Sequence, residues 1–303
     1  MPESGVDRWH RLAWLLLVSL LIVGWPWLET LSTATRAALL AALVAVFGLP
    51  HGAMDPLVAR AAGLWHDARQ LAVHLAAYIG LASAVIFMWW LLPVISLTAF
   101  LFMSAWHFGD DWPRLPGNRS THVIERLLAG LGVVGAPILF HPDRAAELFA
   151  LLTLHSDTSQ AIALLVMLWR VMAVAGIAGL AWLALIQGPR RPAAMLEPVM
   201  LIVAAAWLPP LVYFAIYFCF LHSPRHLINV ARDPRVHLSP AAGGVIVGLT
   251  LLTVMIGLTA FFILGDSQPA ETRVLQVVFV SLAALTVPHM LLVERFAHGE
   301  TTS

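Results

Sequence analysis

Ten stretches of apolar residues run from one end of the chain to the other, each closed by charged or helix-breaking residues. They predict helices at about 12–28, 37–58, 71–92, 94–109, 122–140, 161–187, 195–208, 210–226, 242–264 and 272–293. Most approach the roughly 17–25 residues that cross a hydrocarbon layer of about 30 Å. No polar domain or low-complexity linker separates them, so residues 1–303 read as a single transmembrane domain. The fold class is all-α, a polytopic helical bundle with ten crossings expected and eight to ten allowed. Pro209-Pro210 is the ambiguous point: it marks a turn between two short helices or a kink in one long one.

Composition agrees with this pattern. The chain is 60% hydrophobic and 11% charged, with a mean hydropathy of +0.85, where a soluble domain carries about 25% charged residues. Net charge is zero, so no basic surface points to nucleic acid. One cysteine, Cys219, makes an intrachain disulfide impossible. No small-residue cleavage site follows the apolar run Trp14–Trp27, which reads as a retained first helix. All 17 basic residues are arginine. A rhodopsin holds retinal as a Schiff base on lysine, and this lysine-free chain is excluded from that role.

The arginines orient the bundle. With the N-terminus in the cytoplasm, ten crossings place Arg8, Arg11, Arg60, Arg69, Arg114, Arg119, Arg190, Arg191, Arg225, Arg232, Arg235 and Arg295 inside. Only Arg36, Arg144 and Arg273 fall outside, while Arg126 and Arg170 lie within helices. The positive-inside rule therefore expects a cell-membrane protein with both termini cytoplasmic. The same topology sends the helices at 37–58, 94–109, 210–226 and 272–293 inward. Their histidines, His51, His107, His222 with His226, and His289, then come to one depth on the cytoplasmic side.

An ionisable or hydrogen-bonding group is costly inside hydrocarbon and needs a partner or a task. A lone membrane histidine serves most often as a bridge between helices, but several at one depth point to a shared metal. Neutral imidazole is the commonest transition-metal ligand, and nitrogen-only sites suit iron, copper, zinc or nickel. The ion's charge needs an offset. Asp55 follows His51 by four residues, Asp110 follows His107 by three and Glu294 follows His289 by five. These carboxylates are candidates to hold the second ring nitrogens. Pro50 and Pro288 each precede a histidine and are expected to free the carbonyls of Val46 and Ala284, while Pro224 interrupts the pair His222 and His226. Broken backbone at membrane depth suits a cavity lining. Trp106, Tyr213 and Tyr217 are candidate cavity-lining residues, with plain packing as the alternative. His74 reads as structural. His10, His66, His122, His141, His155, His237 and His298 are expected to be solvated.

At these motifs the chain resembles the bacteriorhodopsin-related-protein and homologue-like (Brp/Blh-like) family, the membrane β-carotene 15,15'-dioxygenases of bacteria and archaea. The matching residues are Pro50-His51-Gly52 with Asp55, Trp106-His107, His222-x-x-x-His226 with Arg225, and Pro288-His289, over roughly residues 45–295. The resemblance implies a non-haem iron(II) oxygenase that splits β-carotene, or a similar carotenoid, with dioxygen to give retinal. It implies that His51, His107, His222 and His226 bind the iron, with His289 a further ligand or a catalytic group beside it. A carotenoid dissolves in lipid and is about as long as the hydrocarbon layer is thick, so entry from the bilayer is expected. Splitting an alkene with oxygen needs a redox-active ion, which excludes zinc.

Three other readings compete. A desaturase- or hydroxylase-like di-iron enzyme needs about eight histidines, usually with adjacent pairs, and this chain has none adjacent. A metal or small-molecule transporter places its polar groups at the bilayer middle, whereas these histidines lie toward one face. A haem-bearing bundle would pair histidines from two helices.

Overall fold

The computed structural model describes residues 5–112, 115–153, 158–187, 192–265 and 268–298. Arg114, His155, Arg190 and Arg191 lie outside the described residues, as does the side chain of His298. Every regular element among the described residues is helical.

In chain order the α-helices are α1 (Gly5–Leu28), α2 (Thr33–Leu43), α3 (Leu49–Gly52), α4 (Asp55–Ala61), α5 (Ala68–Leu91), α6 (Pro93–Phe108) and α7 (Arg119–Phe140). There follow α8 (Pro142–Leu152), α9 (Ser159–Gln187), α10 (Pro192–Trp207), α11 (Pro210–Tyr217), α12 (Ser223–Arg232), α13 (Pro240–Ile263) and α14 (Ala270–His298). Seven helical stretches are long and apolar enough to cross a membrane: Gly5–Leu28, Thr33–Ala61, Ala68–Leu91, Arg119–Phe140, Ser159–Ile186, Pro240–Ile263 and Ala270–Phe296. The chain is thus a multi-pass, all-helical membrane protein. The other three expected crossings form helices too, but short ones: α6 and α10 have 16 residues each and α11 has eight. Pro209 takes an extended conformation, so α10 and α11 are two helices with a turn between them.

Two π-helical turns interrupt the bundle, and each leads into a histidine motif. Val44–Gly48 runs directly into Leu49-Pro50-His51, and Phe218–His222 directly into Ser223-Pro224. A proline in the first turn of a helix is tolerated because its missing N–H has no intrahelical partner there, and both prolines occupy such positions. The helix therefore widens just ahead of each proline without ending. At Pro288 it does not: α14 continues through it.

The chain divides into two compact units. The first comprises Met1–Ser32, Thr98–Ala150 and His155–Leu221. Its centre is the packing of α7 on α9, with α10 against both and α1 against α10. α7 and α9 meet at their backbones: a Cβ built at Gly176 would lie 2.2 Å from the Gly132 nitrogen. Arg11 on α1 is buried and forms an ion pair with Glu197 on α10 at 3.0 Å. The second unit comprises Thr33–Leu97, Leu151–Leu154 and His222–Ser303. Here α14 packs against α2, α4, α5 and α13. Met54, Val58, Ala59, Val230, Val236 and Leu292 form a buried apolar cluster next to the histidine motifs.

Candidate functional site

The second unit gathers four of the five predicted histidines. His51 stands on α3, His222 at the end of the second π-helical turn, His226 on α12 and His289 on α14. Ring centroids are 5.5 Å apart for His51 and His222, 5.6 Å for His51 and His226, and 5.2 Å for His51 and His289. His226 and His289 are separated by 5.1 Å, and His222 and His226 by 6.5 Å. His51, His222 and His289 are buried and His226 is half-buried. Four imidazoles from four chain segments, separated by up to 238 positions of sequence, have been brought to one place.

These separations can be tested against a shared ion. A nitrogen–metal bond of about 2.1 Å puts the ring centroid roughly 3.2 Å from the metal. Two such rings are then about 4.5 Å apart when at right angles and about 6.4 Å apart when opposite. The observed range of 5.1–6.5 Å fits. Among the described residues no three His, Cys, Asp or Glu side chains stand as a group that could hold a metal ion without adjustment.

The hydrogen bonds fix which nitrogens are available. Nδ1 of His51 donates to the carbonyl of Gly48, in the π-helical turn, with the Ser223 hydroxyl 3.2 Å away. Nδ1 of His289 lies 2.7 Å from Oδ1 of Asp55. A carbonyl and a carboxylate only accept, so both imidazoles carry their proton on Nδ1 and leave Nε2 as the nitrogen with a lone pair. That is the nitrogen a transition metal takes from a histidine held by an outer carboxylate or carbonyl.

Asp55 therefore serves a different histidine from the one its spacing suggested. It begins α4 after a break at Ala53 and Met54, so the helical face shared with His51 does not continue to it. Buried at 2% exposure, it turns one oxygen to His289 and accepts a 2.8 Å hydrogen bond from Tyr78 on the other. The sequence did not single out Tyr78. Its signal was its place one turn after His74 on α5, and the two rings are in edge contact at 6.4 Å. Glu294 is half-buried, further along α14 than His289.

His107 belongs to the first unit, buried near the C-terminal end of α6 with its ring 5.9 Å from that of Phe108. Asp110 pairs there with Arg126 at 2.5 Å. Arg126 also donates to the Trp106 carbonyl at 2.8 Å and stacks over the Trp106 ring at 4.0 Å, so that indole packs on a guanidinium. Tyr213 donates to the Val133 carbonyl at 2.8 Å, and Tyr217 to Asp111 at 2.5 Å. Both hydroxyls, expected at a cavity wall, are tied to polar groups of their own unit. Among the histidines expected to be solvated, His66 and His237 are exposed. His10 and His122 are half-buried instead, their Nε2 atoms 2.9 and 3.0 Å from the carbonyls of Phe220 and Leu115. Arg170, within a long apolar helix, is exposed.

Comparison with known proteins places the chain among relatives. The family described as Beta-carotene 15,15'-dioxygenase matches residues 42–297. The Beta-carotene 15,15'-dioxygenase of uncultured marine bacterium 66A03 is 34% identical over 266 residues, covering 84% of this chain and 91% of its own. The Probable beta-carotene 15,15'-dioxygenase Blh of Halobacterium salinarum (strain ATCC 700922 / JCM 11081 / NRC-1) is 27% identical over 297 residues, covering 87% of this chain and 85% of its own. No solved structure matches at a significant level. A match over so much of the chain, across every one of the clustered histidines, shows that this protein belongs to the β-carotene 15,15'-dioxygenase family of carotenoid-cleaving enzymes.

Proposed function

We propose that this protein cleaves the central 15,15' double bond of β-carotene, or of a closely similar carotenoid, with dioxygen, giving two molecules of retinal. The C=C and O–O bonds are exchanged for two C=O bonds, so no further reductant is needed. The observation that carries the proposal is the cluster of His51, His222, His226 and His289 in a chain of this family. These residues would hold iron(II), which when bound supplies the redox chemistry that lets dioxygen react with an alkene. His107 enters on its motif alone.

The chain's own residues have three tasks. His51 and His289, each locked with its proton on Nδ1, present an unprotonated Nε2. Asp55 supplies a buried negative charge that offsets that of the ion. The apolar cluster around Met54, Val58, Val230 and Leu292 keeps water from the rear of the site. A hydrocarbon substrate dissolved in the bilayer reaches such a site from the lipid side. We place the protein in the cell membrane with both termini in the cytoplasm, the arrangement that the arginine distribution favours.

The test is expression in bacteria engineered to make β-carotene. Wild-type protein is expected to bleach the orange colour and yield retinal by chromatography. His51→Ala and His226→Ala are expected to abolish both, with protein levels in the membrane unchanged. Bleaching that survives either substitution rejects the ligand assignment, and purified active protein carrying zinc without iron rejects the oxygenase chemistry.

A further inference from the structure

Tyr78 stands apart from the rest of its helix. α5 is apolar almost throughout, and most of its long side chains, such as Val73, Ile79, Ile86 and Phe87, are exposed as in a lipid-facing span. Among its tyrosine and histidine side chains, Tyr78 donates its hydroxyl inward, 2.8 Å from Oδ2 of Asp55. The Leu285 carbonyl of α14 is the more distant acceptor at 3.4 Å. A phenol has a single proton, and the shorter bond to a charged acceptor is the stronger. The other oxygen of the same carboxylate holds Nδ1 of His289 at 2.7 Å. Three residues from three helices thus form one line: Tyr78 on α5, Asp55 on α4 and His289 on α14.

We propose that Tyr78 is a positioning residue for the metal site: its hydroxyl orients the Asp55 carboxylate, which holds the Nδ1 proton of His289 and keeps Nε2 of that ring as the ligating nitrogen. This rests on the iron proposal above. A carboxylate at the start of a short helix is free to turn about its side-chain bonds. With one oxygen held by Tyr78, only the other is left for His289, so the plane of the imidazole is set from two helices away. Removing the hydroxyl leaves the aromatic packing against His74 in place and releases that constraint. Partners behind metal-bound histidines typically contribute 10–100-fold to affinity or activity. Tyr78, one bond further back, is expected at the lower end, about tenfold.

Detergent-solubilised metal-free protein titrated anaerobically with iron(II) provides the test. Tyr78→Phe is expected to bind iron(II) about tenfold more weakly than wild type, and Asp55→Asn more weakly still. The double variant Tyr78→Phe/Asp55→Asn is expected to match Asp55→Asn alone, because the hydroxyl acts only through the carboxylate. Cobalt(II) bound to Tyr78→Phe is expected to show a shifted visible spectrum, which loss of packing alone would not produce. Should Tyr78→Phe fail to fold, nitrogen-15 spectra of wild-type metal-free protein carry the test, with the His289 signal assigned by its loss in His289→Gln. They are expected to show the proton of His289 on Nδ1, and a proton on Nε2 overturns the proposal. Unchanged iron(II) affinity in Tyr78→Phe, or additive losses in the double variant, also overturn it. Wild-type protein that binds no iron(II) overturns the iron proposal and this one together; wild type that binds it beside an unaltered Tyr78→Phe overturns this one alone.

Discussion

A proline inside a membrane helix strips a hydrogen bond from the carbonyl four residues earlier, and a side chain can replace it. Pro137 frees the Val133 carbonyl, which accepts from Tyr213. Tyr213 is therefore a replacement for a backbone donor, where the sequence suggested a cavity wall. His10, expected in water, instead lies with Nε2 2.9 Å from the Phe220 carbonyl. An unsatisfied buried carbonyl costs about 1–3 kcal/mol. Tyr213→Phe, which keeps the ring, is expected to lower stability by about that amount, read as a fall in the midpoint of thermal unfolding in detergent. An unchanged midpoint would mean that the Val133 carbonyl finds another donor. These roles were hidden in the sequence because helical spacing shows which residues share a face, not which neighbouring helix carries the proline. Tyr78 was hidden for a related reason. Its partner Asp55 lies 23 positions away across a turn that spacing cannot orient.

Helices that must approach closely in lipid do so through small residues, since apolar surface gains nothing by leaving lipid tails for one another. α7 and α9 use this device. Gly132 faces Gly176, Gly135 faces Ala173, and a Cβ at Gly135 would lie 2.7 Å from that of Ala173. Gly176→Leu would drive a side chain into the backbone of α7. It is expected to destabilise the protein by about 1–3 kcal/mol, and Gly176→Ala by less, measured as retained fluorescence of a fused reporter on heating. Equal stability of Gly176→Leu would show that the two helices can separate freely. At this scale the sequence was informative. Each of the ten predicted apolar runs falls on helix among the described residues, because in lipid each must close its backbone hydrogen bonds internally. Four of the five histidines that the sequence singled out lie together in the second unit, and they could be singled out because polar residues at membrane depth stand out. Missed were α8, whose Asp143, Arg144 and Glu147 interrupt its apolar pattern, and the two π-helical turns. Both turns lie one step ahead of Pro50 and Pro224, where sequence showed that the helix must yield but not that it would do so by widening.

For the whole molecule, the number of crossings decides where the ends lie. Seven helical stretches have the length and apolarity of a full span, and an odd number would leave the two termini on opposite sides. The arginine bias favours ten, with both termini on one side. The difference rests on three short helices, α6, α10 and α11, of 16, 16 and eight residues. A helix of 16 residues rises about 24 Å, short of a hydrocarbon layer of about 30 Å, and mismatch of that size is absorbed by local thinning of the bilayer at a modest cost. α11 is shorter alone, but the π-helical turn and α12 extend it without a break from Pro210 to Arg232, enough to cross. Reporters fused to each end can decide between the two counts. Green fluorescent protein folds only on the cytoplasmic side and alkaline phosphatase is active only outside. Fluorescence is expected at both ends and phosphatase activity at neither. Phosphatase activity at the C-terminus alone would mean that an even number of these three short helices, none or two, crosses. The cytoplasmic placement of both termini would then be wrong.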